Sequence, residues 1–422
     1  MAVRVIVRHS NPSQEIHRKA EHMRKLNFFT VAVFMLALAV AMPSALAKPL
    51  KPLHQFNGDT QGDGANPFGA LLLDAAGNLY GTTLNGGTGD GTVFKIDSTG
   101  KETVLFTFDS AVSGDSPDTP LIQDQAGNLY GITSEGGPGG AFGIVYKLSP
   151  QGEQTVLHAF HRGAGSDPLV PTGGLLMDST GNIFGTTIAG GSGDCPGGCG
   201  TVFRLDPALK LRVLHKFTVS EGNEPFGPLV QDADGNLYGV TKEGGDLSCP
   251  DPNIPGAGCG TVFKLGKNRE LTVLHTFAGG KDGSTPQGGL LLDAAGNLYG
   301  VASLGGNREH GTVFKISKDG AYTVLHRFHR LEGGTPNGGL VQDEVGNLYG
   351  TNGSQGSDNL GTIYQLSRDG QLTLLHTFRG SNDGAEPFAG LIRDAAGNLY
   401  GTTVTNLLNQ RVNGGNVFLI AP

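Results

Sequence analysis

Tryptophan is absent from this 422-residue chain, and it holds only four cysteines and five methionines. A repeat whose packing depends on an indole is thereby excluded, as is a disulfide-dense miniature scaffold. Charged residues make up 16% of the chain, too few for a charge-driven disordered polymer. Apolar periodicity of three to four residues is missing after residue 47, so no amphipathic helix is expected there. The chain has no G-x-S-x-G elbow, no H-E-x-x-H pair and no phosphate-cradling G-x-x-x-x-G-K. The abundant residue is glycine, 70 of 422, about 17% against a usual share of about 7%. It recurs at regular spacing, which points to repeated tight turns rather than disorder.

The one long apolar run lies near the N-terminus. Leu26 to Ala41 reads LNFFTVAVFMLALAVA, preceded by Arg18, Lys19, Arg24 and Lys25 and followed by Pro43 and Ala45-Leu46-Ala47. A basic flank, an apolar stretch and small residues at alternate positions describe a secretory signal peptide over residues 1–47, cleaved after Ala47. An uncleaved signal anchor is the alternative, and Met23 would make a more ordinary start. Loss of residues 1–47 leaves 24 basic and 36 acidic side chains, a net charge of −12. Such an acidic surface disfavours phosphate backbones and anionic lipid, so neither nucleic acid nor membrane is an expected partner.

Residues 48–422 form one motif written seven times. GNLYG occurs at Gly77, Gly127, Gly235, Gly296, Gly346 and Gly397, and GNIFG at Gly181, at intervals of 50, 54, 54, 61, 50 and 51 residues. An apolar run ending in Asp74, Asp124, Asp178, Asp232, Asp293, Asp343 or Asp394 precedes each copy. Upstream stand Pro67, Pro120, Pro171, Pro225, Pro286, Pro336 and Pro387, and downstream a G-x-[VI]-[FY] segment from Gly91, Gly143, Gly200, Gly260, Gly311, Gly361 and Gly415. Asp-x-x-Gly-Asn between two apolar runs reads as a hairpin turn, and TVFKI-SKDG-AYTVLHRF as a second hairpin. Four short antiparallel strands in about fifty residues, seven times over, predict an all-β, seven-bladed β-propeller. The last copy lacks a fourth strand, while Lys51–Phe56 matches L-H-T-F without a preceding unit. An N-terminal strand completing the last blade is therefore expected, which also removes a sheet edge.

The P-x-G-G-L…D-x-x-G-N-L-Y run resembles the inner hairpin of NHL-type propellers. Overall, the joint pattern of GNLYG, G-T-V-F-K and L-H-T-F is similar to the GloVer tandem repeat of bacterial extracellular proteins, over nearly all of residues 52–420. The resemblance implies a secreted repeat protein, some of whose relatives carry a C-terminal anchoring tail. This sequence ends just after Ile420, so release rather than surface anchoring is the expectation.

The irregular insertions, Ser192–Cys199, Gly245–Cys259 and Val404–Asn413, all fall between strands two and three, hence on one face with the links that precede strand one. Variable loops on a regular scaffold are where binding is commonly built. Cys195 with Cys199 and Cys249 with Cys259 read as disulfides in an exported chain, a shared four-cysteine zinc site being the alternative. His54, His158, His215, His275, His326 and His376 occupy one repeat position, with Phe106 in the seventh. Equivalent positions around a ring cannot converge on one ion, so a packing role is expected. Acids recur before the proline at Asp63, Asp115, Asp167, Glu224, Asp282, Glu332 and Asp383. They either ring the mouth of the channel to attract a ligand or cap their own turns. With His310, which abuts a loop glycine outside the pattern, these acids form the candidate binding set. The favoured reading is a secreted, non-enzymatic, monomeric binding module for a protein, peptide or glycan, with no cofactor. The alternatives are a hydrolase or lyase acting on sugars or lactones through a metal or acid pair in the channel, and a structural envelope component.

Overall fold

Valine, threonine, isoleucine and aromatic residues between turns rich in glycine, aspartate and asparagine form short strands wherever neighbours pack on both faces. In the computed structural model, residues 49–421 are described apart from 59–61, 88, 163–167, 192–193, 250–255, 381 and 409–410. The expected signal peptide, residues 1–47, lies outside the described residues. Blade 1 consists of Leu72–Leu73, Leu79–Thr83, Thr92–Ile96 and Glu102–Thr107, hydrogen-bonded antiparallel in that order. Five further blades repeat it, with outermost strands Gln154–Ala159, Leu211–Lys216, Leu271–Thr276, Tyr322–Arg327 and Leu372–Thr377. Blade 7 takes Ile392–Arg393, Leu399–Thr403 and Asn416–Ile420 from the C-terminal end, and its outermost strand is Leu50–Gln55. Leu50 lies opposite Ile420 and Gln55 opposite Asn416. The chain is a seven-bladed β-propeller closed by its N-terminal strand. Among the described residues there is no α-helix, only a 3-10 turn at Gly280–Asp282.

The apolar core is divided among the gaps between blades. Seven clusters of buried residues are found, each drawing on two neighbouring blades. Every gap contains an edge-on or tilted aromatic pair formed by the phenylalanine that follows one blade's outer strand and the third-strand aromatic of the next. Phe108 meets Tyr146 at 5.2 Å, Phe277 meets Phe314 at 5.4 Å, and Phe56 meets Phe94 at 5.1 Å across the closing gap. Such a pair adds about 0.5–1.5 kcal/mol beyond the area it buries. The N-terminal segment therefore supplies both the last strand and the last of these contacts.

One glycine in each repeat is dictated by the same aromatic. Gly81 lies opposite Phe94 in the ladder, and a Cβ there would stand 2.5 Å from Phe94 Cζ. Gly300 makes the same socket for Phe314. The second glycine of GNLYG is thus a packing requirement, met wherever the third strand carries Phe or Tyr.

Aligned in space, the repeats correct three assignments made from spacing. The glycine that opens each third strand packs on the next blade's proline, and Gly91 packs on Pro117 rather than Pro120. Ser113, not Asp115, then occupies the acid position after blade 1, and Glu221, not Glu224, occupies it after blade 3. Linkers that differ in length by a few residues shifted the count. Val404–Asn413, expected as an irregular loop, contains a small hairpin of Asn406–Leu408 with Arg411–Asn413.

Candidate functional site

Antiparallel order places two kinds of link at opposite ends of the blades. The Asp-x-x-Gly-Asn turns share one face. In each, the aspartate accepts hydrogen bonds from two backbone N–H groups or from backbone and side chain together. Asp343 Oδ1 accepts from the N–H groups of Val345 and Asn347, and Oδ2 from Asn347 Nδ2 and Tyr349 Oη, at 2.8–3.1 Å. Burial alone would raise these carboxyls, but the bonds from the asparagine and tyrosine outweigh it and hold Asp74, Asp124, Asp232, Asp293, Asp343 and Asp394 below their ordinary value. Clefts of 390, 550 and 690 Å³ open between blades on this face. They are walled by turn aspartates whose oxygens are already engaged, so they have less to offer a ligand than the opposite face.

The opposite face carries the links between strands two and three and those leading into the next blade. The two sets pair with each other: Asp115 bridges Glu135, Ser284 bridges Leu304 and Ala385 bridges Thr405. Both disulfides form here, Cys195–Cys199 with Cα atoms 5.1 Å apart and Cys249–Cys259 at 5.9 Å. The zinc alternative for these four cysteines falls away, since all are oxidised in pairs.

The expected acids lie on this face but are not brought together. Asp63, Asp282, Glu332 and Asp383 each sit just beyond an outer strand and contact that strand's histidine: His54 at 3.4 Å, His275 at 3.0 Å, His326 at 2.9 Å and His376 at 3.0 Å. Glu221 does the same for His215 at 3.2 Å. Each acid also accepts the N–H of the residue after the core phenylalanine, as Asp282 does from Ala278 and Asp383 from Arg379. After blade 1, where Phe106 replaces the histidine, Ser113 Oγ accepts that N–H from Asp109. Histidine and acid are therefore one local unit, a capped turn with its histidine edge-on to the buried phenylalanine (4.6 Å for His54 on Phe56). Asp167, expected in the candidate binding set as the acid before Pro171, lies outside the described residues. Glu224 instead pairs with Lys242 at 3.0 Å, and Asp115 accepts from Ser116 Oγ. His310 is half-buried with Nδ1 unbonded. Burial first, then His329, Arg308 and Arg330, push its pKa down.

The residues that do form a ring around the axis follow the repeat proline: Phe68, Asp118, Thr172, Phe226, Gln287, Asn337 and Phe388. The backbone of each turn touches the next. A Cβ on Gly69 would strike the Thr119 carbonyl, one on Gly227 the Gln287 carbonyl, and one on Gly288 the Asn337 carbonyl. Thr82 and Thr351 tie the ring down by donating to the carbonyls of Thr119 and Ala389. The residue before each proline, among them Ser116, Glu224 and Thr335, has a positive φ of 51–59°. For a residue with a Cβ this costs about 1–3 kcal/mol. Phe68 and Phe388 meet at 5.6 Å across the closing gap, and Phe68 is 38% exposed. Asp118 Oδ1, Thr172 Oγ1 and Asn337 Oδ1 have no hydrogen-bond partner. Burial, and after it Glu135, pushes the Asp118 carboxyl up to about 6. Counting from Pro120 hid Asp118. Counting the residue after each structurally equivalent proline would have found the whole ring.

The Gloeobacter/Verrucomicrobia repeat model matches residues 42–195 and 255–422. No curated protein matches the sequence. Among solved structures, virginiamycin B lyase from Staphylococcus aureus is similar with a TM-score of 0.57 at 14% identity, covering 89% of this chain and all of that one. The extracellular domain of what is named a hybrid two component system of B. thetaiotaomicron is similar with a TM-score of 0.53 at 15% identity. It covers 89% of this chain, which spans 41% of that one. At such identities the likeness concerns the fold alone.

Proposed function

The chain belongs to the Gloeobacter/Verrucomicrobia repeat family, and with that membership as premise we propose an exported, non-enzymatic binding propeller whose loop face takes a glycan at the mouth of its channel. Export rests on the signal-like residues 1–47 and fits two disulfides, which persist in oxidising compartments. One observation carries the binding reading. Unbonded polar atoms of Asp118, Thr172 and Asn337 share a ring with the phenyl groups of Phe68 and Phe388. A sugar presents a C–H face that covers an aromatic ring and hydroxyls that complete these oxygens, closed to solvent in the free protein, once their side chains turn toward the mouth, so both halves of the ring are served by one ligand class. Calorimetric titration of the secreted protein with neutral oligosaccharides tests this. Binding that is lost in Phe388→Ala and Asn337→Ala supports it, and retention in both variants removes it. N-terminal sequencing of the exported product checks cleavage after Ala47.

A second reading, a hydrolase or lyase, is favoured by Asp118 alone. A carboxyl raised to about 6 sits where a general acid or base works near neutrality. Turnover of a bound sugar or lactone that falls at least about a hundredfold in Asp118→Asn would select that reading over simple binding.

A further inference from the structure

The first residue of an outer strand can reach the histidine or the turn that follows the preceding blade's outer strand. Tyr322 stacks on His275 at 3.6 Å, and Gln154 donates to the Ser113 carbonyl. Across the ring this strand position, paired with the last residue of the blade's own third strand, holds Glu102, Gln154, Leu211, Leu271, Tyr322, Leu372 and Leu50. Only one of them is charged. Glu102 reaches over the gap that closes the ring and stands above His54 and Asp63. Among the described residues, this is the one place where three His, Cys, Asp or Glu ligand atoms come within 4.8 Å of each other. Glu102 Oε1 is shut off from solvent and has no hydrogen-bond partner. His54 Nε2 and Asp63 Oδ1 are 3.4 Å apart, the widest of the five described pairs made by an outer-strand histidine, the others being 2.9–3.2 Å. Ligand atoms on a tetrahedral zinc ion with bonds near 2.1 Å stand about 3.4 Å from one another.

Two carboxylates and an imidazole facing one point, one carboxylate oxygen unbonded, form a donor set for a divalent cation. Imidazole with carboxylate suits zinc or manganese rather than calcium, which takes six to eight oxygens. We propose that His54, Asp63 and Glu102 bind a zinc-type divalent ion that fastens the N-terminal closing strand of blade 7 to blade 1. His54 and Asp63 belong to the segment that closes the ring, while Glu102 belongs to the blade it closes against. The ion ties the closing strand to the blade that follows it in the chain, and water completes its coordination.

The test uses the purified full chain, stripped with a chelator and titrated with zinc chloride by calorimetry, with thermal unfolding in parallel. One equivalent is expected to bind, and at about a hundredfold excess over Kd to raise Tm by about 3 °C. Glu102→Gln and His54→Gln should each weaken binding at least about tenfold, with circular dichroism unchanged. His310→Gln should leave the affinity as it is. Leu50→Glu places the same third carboxylate over His376 and Asp383 and should add a second equivalent. Absence of zinc binding, undiminished binding in Glu102→Gln, lowered affinity in His310→Gln, or binding without a rise in Tm would each overturn the proposal. Should the two loss variants misfold, failure of Leu50→Glu to gain a site does so independently.

Discussion

The two ends of the blades are both built from chain reversals, yet their polar groups are in opposite states. On the turn face each aspartate is filled by its own hairpin, as Asp293 is by Ala295, Asn297 and Tyr299. On the loop face, Asp118, Thr172 and Asn337 leave oxygens unbonded, and the residues before the prolines hold a costly backbone conformation. A carboxylate that already accepts four hydrogen bonds has little left for a ligand, while an unbonded oxygen gains from one. The difference teaches that repetition of an acid is weaker grounds for a site than the state of its lone pairs.

The largest effect expected from this contrast is the response to acid. The turn aspartates are held below the carboxylate value of 3.8, so the stability they contribute is present above that value and is lost as pH falls through their lower folded values. Unfolding monitored by circular dichroism should set in only below about pH 4 and then proceed steeply, with several turns failing together. A gradual loss beginning at pH 5–6 would break the contrast.

Next in size is removal of one saturated carboxylate. Asp343→Ala strands two backbone N–H groups, an amide and a phenol hydroxyl, and should cost about 2–3 kcal/mol in urea unfolding. A cost near zero would mean that water replaces those bonds freely and that the turn face is no more committed than the loop face.

Asp118 should respond with the opposite sign. Its folded value near 6 lies above the unfolded one, so its contribution is full below about pH 4 and is lost as pH rises through 6, a change of no more than about 3 kcal/mol. Asp118→Asn should flatten that slope in melts taken between pH 4 and 7. An unchanged slope would place the charge elsewhere. Smallest of all, Asn337→Ala should shift stability by no more than about 0.5 kcal/mol, since its Oδ1 has no partner to lose. A large loss there would show that the ring serves packing rather than a ligand.

Much of the fold could be read from residues alone. GNLYG with its preceding aspartate marked every inner hairpin, and the unmatched Leu53–Phe56 announced the closing strand, later found paired with Asn416–Ile420. Less of the site was legible. The histidine and acid positions were visible as a pattern, but that they bond to each other depends on how the chain folds back after the outer strand. Glu221 was passed over for Glu224, and Ser113 for Asp115, because distance from a proline is counted along the chain while the hydrogen bond is made through space. Glu102 carried no signal at all, being one acid at a position otherwise held by leucine, glutamine and tyrosine.

By itself, the sequence determined strand number, turn type and the order of pairing, since these depend on alternation of side chains and on residues a few places apart. Tertiary structure alone decided which polar atoms would be satisfied and which chemical groups would meet across a gap. The turn of Asp118 against the turn of Phe68, and Glu102 above His54 and Asp63, are meetings across gaps between neighbouring blades. Contacts of that kind depend on the curvature of the whole ring, which no local spacing encodes.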